Sequence, residues 1–434
     1  MENMEKIAIR NFAGIEKLDL DIKPINILIG PQGVGKSVVV KLLYFFKETL
    51  YNLGSRQGIV LMETLENHER NMIVSFRKMF DRSAWKSGGK FEISYSSING
   101  LTFVVKGDEK GEIRIVLPEE YTAILNEIIL VNEQYSPLKV GELGISEFLK
   151  QRNEIETFLR LKLSEKFNEK LVEQVFIPAG RSFFSTINRN IYSIVEGKGE
   201  IDAGLDSFML RFGSMYQLLG DFEAMNTLFW ESSERSNTFN ALVDQVMGGR
   251  YVKENDNQAY ILHKDQRKVE LKNVSSGQQE ALPMLLILKA IYEKTWKTEG
   301  GVLYIEEPEA HLFPTAQKSI VNLLAKVYTS NPDNFQIFIT THSPYILTSF
   351  NNLMYAGNLI KEDESRRSAV EKVVDQDTIL DASLFSAYAV QKTGATDLMD
   401  KENGIINAEL LDEVSNTIGR EFDQLLDIEY AGQN

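Results

Sequence analysis

An apolar run at 25–29 leads into Gly30-Pro31-Gln32-Gly33-Val34-Gly35-Lys36-Ser37, and Val38 opens a helical pattern that reaches about residue 50. This is the pattern G-x-x-x-x-G-K-S set between a strand and a helix. Glycines let the backbone turn so that consecutive N–H groups face phosphate oxygens, and the helix N-terminus adds its positive end. A lysine in the place of Lys36 reaches the β and γ phosphates, and a hydroxyl in the place of Ser37 ligates Mg²⁺. Gly30 to Val38 are therefore the expected binding residues for ATP, with Mg²⁺ as cofactor. A chance glycine-rich turn lacks a strand before it and a helix after it.

The rest of the chain agrees with a strand–helix alternation. Runs at 6–9, 18–22 and 25–29 read as strands, and 91–95, 101–105 and 112–117 alternate apolar and polar residues between Gly-containing turns, as antiparallel strands do. Helical spacing covers 119–132, 146–175 and much of 200–247. A strand at 175–177 is broken by Pro178. Three short strands follow at 250–252, 259–263 and 268–271, then a helix to about 292, a strand at 302–305, a helix at 314–328 and a strand at 336–339. Such alternation predicts an α/β core with a mostly parallel sheet.

Three further motifs carry chemistry. The apolar strand 302–305 ends in Glu306 and Glu307. Successive strand residues point to opposite sides, so Glu306 is expected on the Mg²⁺ side and Glu307 toward an attacking water as general base. Val274-Ser275-Ser276-Gly277-Gln278 opens a helix and can offer N–H groups and hydroxyls to an anion, although alone it reads first as an ordinary N-cap with Glu280 available for capping. Thr340-Thr341-His342-Ser343-Pro344 places a histidine after a strand and before a helix; alone, such a histidine is an ordinary turn residue.

In this order, phosphate loop, small-residue helix start, acidic strand end and histidine resemble the ATP-binding cassette (ABC) type of P-loop ATPase. The closer likeness is to its soluble branch, which includes the SMC, RecF and OLD-type proteins and the short AAA-family ATPases of bacterial anti-phage modules such as PARIS and Septu. The resemblance implies that Ser275, Ser276, Gly277 and Gln278 of one subunit close on the γ-phosphate held by another. It implies that His342 senses that phosphate, that Glu307 and Lys36 act in hydrolysis, and that Ala310 to Phe313 crosses a dimer interface. It covers about residues 1–45 and 270–355. Gln32 stands where many relatives have Asn, Val274 where they have Leu, and Glu306 where they have Asp. No metal-contacting Gln follows the strand ending at Ile177; Arg181, in Pro178-Ala179-Gly180-Arg181, is a candidate to touch phosphate or a partner subunit.

Lys36 and Ser275 lie 239 residues apart, about a domain more than a compact transporter ATPase needs, and no long heptad array fills the gap. The expected division is an ABC-type core at 1–50, 175–199 and 249–390, an inserted α+β lobe at 51–174, a helical segment at 200–248 and an acidic helical C-terminal region at 391–434. The last segment holds ten acids and three bases, −7 of the chain's net −15. That balance argues against coating nucleic acid with the whole surface. A basic stretch at 69–90 (Arg70, Arg77, Lys78, Arg82, Lys86, Lys90) has Phe76, Phe80 and Trp85 interleaved and could grip nucleic acid or protein, or be a solvated face. Asp375-Gln376-Asp377 has the spacing of a Toprim metal pair, but the residues after His342 are too few for that domain, so no intrinsic nuclease is expected.

The absence of cysteine excludes disulfides and thiolate metal sites, and no apolar run approaches a membrane span. With no leader pattern at the start, a cytoplasmic protein is expected. The combined expectation is a slow Mg²⁺-ATPase that pairs with itself on ATP and controls a protein effector encoded nearby in anti-phage defence. Nucleic acid is a possible partner but not a required one, and a membrane is not expected. The competing expectation is a RecF- or SMC-like repair ATPase that binds DNA ends or gaps.

Overall fold

The structure, a computed structural model, describes residues 4–53, 64–85, 89–135, 173–186, 234–255, 258–293, 301–333 and 335–407, with Thr157 and short stretches within 208–219 and 420–425. The chain begins with a hairpin, β1 (Lys6–Phe12) and β2 (Ile15–Asp21), then β3 (Ile25–Ile29) and helix α1 (Lys36–Leu53). Helix α2 (Leu65–Met79) is capped by the Thr64 side chain and precedes β4 (Phe91–Ser96), β5 (Thr102–Gly107), β6 (Ile113–Val116) and α3 (Glu119–Tyr135). Next come β7 (Glu173–Ile177), α4 (Ser182–Thr186), α5 (Glu234–Met247), β8 (Arg250–Asn255), β9 (Gln258–Leu262) and β10 (Lys268–Glu270). The second half contributes α6 (Ser276–Tyr292), β11 (Gly301–Glu306), α7 (Pro314–Thr329), β12 (Phe335–Thr341) and α8 (Pro344–Glu362). Strands β13 (Phe385–Gln391), β14 (Gly394–Asp397), β15 (Met399–Asp400) and β16 (Ile405–Ile406) follow.

Six strands form the central sheet in the order β14-β13-β3-β12-β11-β7, parallel except for β14. Both faces are covered, which explains why β3 and β11 are buried at every position rather than at alternate ones. Ile25, Ile27, Ile29, Leu303, Ile305, Ile337 and Ile339 pack with α6 and α7 in one core. Leu28, Tyr304 and Phe338, on the other face, meet α1 through Val39, Leu43 and Phe46 in a second core. The far side of α1 is covered by the second sheet, β2-β1-β4-β5-β6, which is antiparallel throughout. Asn26, the polar residue of β3, is buried, and its amide bonds to Lys23, the Ile337 carbonyl and the Ser386 hydroxyl. The architecture is thus α/β with a mostly parallel sheet.

Three expectations about organisation differ from the strand pairing. The expected boundary at residue 50 runs through one sheet: β4, assigned to the inserted lobe, pairs with β1 from Lys6–Ser96 to Arg10–Glu92. Apolar faces of β1 and β4 share the α1 core, so 91–116 is built onto the N-terminal hairpin. The C-terminal region is not helical where it begins: 394–397 is a strand beside β13, and 399–406 forms a small two-stranded sheet. Thr396 and Ala395 find ladder partners in β13, and the turn at 400–404 is closed by the Asp400 carboxylate on the N–H groups of Glu402 and Asn403. The helix expected across 146–175 ends differently, because 173–177 is the edge strand β7; most of the remainder lies outside the described residues. Among the described residues no helix is long and apolar enough to cross a membrane.

Candidate active site

β3, β12 and β11 are adjacent, so their C-terminal ends bring the 30–37 loop, His342 and the Glu306–Glu307 pair to one edge of the sheet. The crevice beyond the carboxyl ends of parallel strands is where α/β sheets bind ligands. Gly30 and Gly35 take φ values of 153° and 100°, and neither has room for a side chain. A Cβ on Gly30 would lie 2.4 Å from the Val390 carbonyl oxygen, and one on Gly35 would lie 2.7 Å from the Ile15 side chain. Pro31, Gln32, Gly33 and Ser37 are exposed, Val34 is buried and Val38 is half-buried. The opening turn of α1 therefore presents its unpaired N–H groups beside a solvent-facing loop, with no acidic residue in that turn to oppose an anion.

Lys36 lies across the loop. Its ammonium donates to the carbonyls of Gly30 at 2.7 Å and Pro31 at 2.9 Å and sits 3.2 Å from Nε2 of His342. Burial pushes its pKa down, opposed by the nearby carboxylates of Glu307 and Glu309. The same His342 nitrogen is 3.3 Å from Glu307 Oε1. His342 thus touches both the lysine at the start of α1 and the glutamate after β11.

The two strand-end acids occupy different environments, as their alternation requires. Glu306 is buried; one carboxylate oxygen accepts from the Ala179 N–H at 3.3 Å and the other has no partner among the described residues. A buried carboxylate oxygen without a donor is costly. A carboxylate oxygen of this kind, like the exposed Ser37 hydroxyl, is the donor type that a hard cation such as Mg²⁺ takes. Glu307 is partly exposed and adopts φ 44°, a left-handed conformation rare outside glycine, with its N–H on the Thr340 carbonyl.

Ser275 caps α6 in a reciprocal box. Its hydroxyl accepts from the Gln278 N–H, and the Gln278 side chain accepts from the Ser275 N–H at 2.9 Å. The capping partner is therefore Gln278 and not Glu280. Gly277 sits against the loop after Glu307: a Cβ there would lie 2.4 Å from the His311 carbonyl oxygen. Ser275 and Ser276 are exposed. Among the described residues no hydrogen bond joins 275–278 to the 30–37 loop of the same chain. Phe313, at the end of the Ala310–Phe313 loop, is 74 % exposed.

Two residues change roles on inspection. Arg181 is fully buried, so it does not reach out to phosphate or a partner. Its guanidinium donates to the carbonyls of Pro178, Glu280, Glu306 and Glu307, and its backbone N–H donates to the Glu280 carboxylate at 2.7 Å. Glu309 lies outside the expected catalytic residues but supports one of them. One of its oxygens accepts from the Thr341 hydroxyl at 2.7 Å and the His342 N–H at 2.6 Å. Its position two residues after Glu307 was the available signal, but nothing local says that a carboxylate there turns back onto β12.

Residues 3–189 and 146–347 match the model of the AAA ATPase domain family. This chain belongs to that family. No curated protein matches it. Among solved structures, this AAA ATPase is similar to an Smc head bound to the C-winged helix domain of ScpA, at 12 % identity over 92 % of this chain and 98 % of that one, with a TM-score of 0.42. The SMC head domain from Thermotoga maritima gives 11 %, 91 %, 98 % and 0.35 in the same order. The recombination mediator RecF with ATPrS, from the RecFOR pathway, gives 12 %, 92 %, 99 % and 0.32.

Proposed function

We propose that this protein is an ATP-driven switch: two copies close on ATP through their nucleotide faces, hydrolyse it slowly and thereby control a protein effector. The observation that carries the reading is the contact of His342 with both Lys36 and Glu307 at the carboxyl edge of the sheet, beside a buried Glu306 oxygen that has no partner among the described residues. Lys36, held by two loop carbonyls, exchanges them for β- and γ-phosphate oxygens. Glu307 accepts the proton of the attacking water, and His342, between Lys36 and Glu307, contacts the γ-phosphate and reports its presence. Ser37 and Glu306 would hold Mg²⁺, which would supply neutralising charge to the phosphates. The exposed Ser275 and Ser276 and the N–H groups at the start of α6 are available to a nucleotide held by a second copy, and the exposed Phe313 loop is available to cross between copies.

An effector in an anti-phage module rests on the resemblance to short defence ATPases. The 69–90 stretch offers little to the DNA-repair alternative. Phe76, Phe80 and Trp85 are buried in an aromatic cluster with Phe12 and Phe91. Arg70, Arg77 and Lys90 are engaged with Glu66, Glu112 and Glu109. The acidic segment 408–434, which follows β16, is the proposed effector contact; its deletion tests that contact without cutting into the β13–β16 region.

The deciding experiment compares complexes of wild type and Glu307→Gln recovered from the source cell in Mg²⁺-ATP, by native mass. A co-purifying protein that survives nuclease and is shed or locked by the variant supports the switch. Bound nucleic acid without a protein partner, trapped more tightly by Glu307→Gln, replaces it with the DNA-repair reading.

A further inference from the structure

Arg181 is a cation with no exposed surface, sitting between the start of α6 and the end of β11. Filling this space would need only an apolar side chain, and burying a guanidinium is costly unless its donors are met. Its donors go to particular places. Nη1 is 2.7 Å from the Glu306 carbonyl and Nη2 is 3.0 Å from that of Glu307, so one planar fork holds the peptides on both sides of the Glu307 Cα. That residue has the left-handed φ of 44°, a conformation that persists outside glycine only where the surroundings over-determine it. The Glu307 N–H is held from the other side by Thr340. This twist turns the Glu307 carboxylate from the strand direction toward His342.

The other donors of Arg181 face α6. Nε is 3.0 Å from the Glu280 carbonyl, and the Glu280 carboxylate takes the Arg181 N–H. Glu280 lies five residues after Ser275, the cap of that helix. In the same short loop, the Ala179 N–H meets the Glu306 carboxylate. The start of α6 and both strand-end acids are thus tied through the loop 178–181.

We propose that Arg181 is a positioning residue that couples the Ser275–Gly277 turn to Glu307, so that the carboxylate is set for water attack when that turn is seated on the nucleotide of a second copy. The inference rests on the ATPase reading above. A lysine at 181 keeps the charge, but its three donors sit on one nitrogen and cannot serve the four carbonyls that the wider guanidinium meets.

The test measures ATP affinity by fluorescent-nucleotide titration, the ATP-dependent dimer fraction by light scattering, and kcat, for wild type, Arg181→Lys, Glu280→Gln and each combined with Glu307→Gln. Arg181→Lys is expected to bind ATP within about threefold of wild type and to dimerise, while kcat falls about 30-fold, within the range of a misplaced general base. Adding Glu307→Gln to it should lower the rate no further than Glu307→Gln alone. Affinity falling in step with kcat overturns the proposal in favour of a phosphate contact, and an unchanged kcat overturns it outright. A further loss in the double variant overturns it in favour of a purely structural role. If Arg181→Lys does not fold, Glu280→Gln decides by the same criteria. A wild type that fails to hydrolyse ATP overturns the ATPase reading and this one together; wild-type hydrolysis with an unaffected Arg181→Lys overturns this one alone.

Discussion

Glu309 holds His342 by its backbone: one carboxylate oxygen accepts both the His342 N–H, at 2.6 Å, and the hydroxyl of the preceding Thr341, at 2.7 Å. The histidine that touches Lys36 and Glu307 is therefore set by an acid on a different strand end. Hydrogen bonds to a charged acceptor are roughly twice as strong as neutral ones.

Glu309→Gln keeps an acceptor and drops the charge, whereas Glu309→Ala leaves two donors short. The alanine variant should lose about 1–3 kcal/mol of stability, and the glutamine variant less than that. Both should slow hydrolysis by about tenfold or more, since His342, which lies between Lys36 and Glu307, is displaced. Denaturant melts and steady-state ATPase assays check the pair. Wild-type rates in both variants would remove Glu309 from the site.

Gly277→Ala places a Cβ 2.4 Å from the His311 carbonyl oxygen. The obstructing oxygen belongs to backbone, and His311 already sits at φ 59°, so the turn has little room to give. Overpacking of this kind costs about 1–3 kcal/mol. The loss should appear as a lower melting temperature together with a smaller ATP-dependent dimer fraction, because the strain falls on the loop leading to Phe313.

The Lys36 pKa is depressed by burial, so between its folded value and the ordinary 10.5 the unfolded chain carries the extra proton. Stability attributable to this residue therefore rises with pH through that window, and below the folded pKa the cost of burying the charge is complete. Melting curves of wild type and Lys36→Met, without nucleotide, from pH 7.5 to 10.5 should show the wild type gaining relative to the variant as pH rises. A difference that is flat with pH would contradict the assignment.

Lys326, on α7, is buried, and its ammonium lies 2.8 Å from Asp375 and 3.7 Å from Asp377, close in charge though off the axis of a hydrogen bond. The Asp375-Gln376-Asp377 pair is thereby a tether for α7. Asp375→Asn should weaken the compensation of a buried cation and cost about 2 kcal/mol, discounted from the fully buried case because the aspartate is partly exposed. ATPase activity per folded molecule should not change. Thermal melts with a parallel rate measurement decide.

Much of the candidate site was legible because its signals are local. Gly30 and Gly35 are needed where the backbone turns and crowds, the apolar run before Glu306 can only be a strand covered on both faces, and Ser275 caps the helix that follows it. The chain neighbours of each residue suffice for those readings. The basic and aromatic stretch at 69–90 was open to two readings because spacing does not say which side chains point inward; Phe76 and Phe80 turn to Phe12, more than sixty residues earlier.

Local sequence thus determined the phosphate loop, the strand ends with their acids and the helix cap, since backbone conformation and capping depend on adjacent residues. Tertiary structure alone decided that β4 joins β1, that β13 pairs with β3 across some 360 residues, and that Glu280 serves Arg181 rather than the cap. The same holds for Arg181 on the Glu307 carbonyl and Glu309 on His342. Each is a buried polar group whose partner is fixed by how sheets and helices close on one another. A charged side chain in the interior takes whichever donor or acceptor packing brings within reach, and no spacing along the chain records that choice.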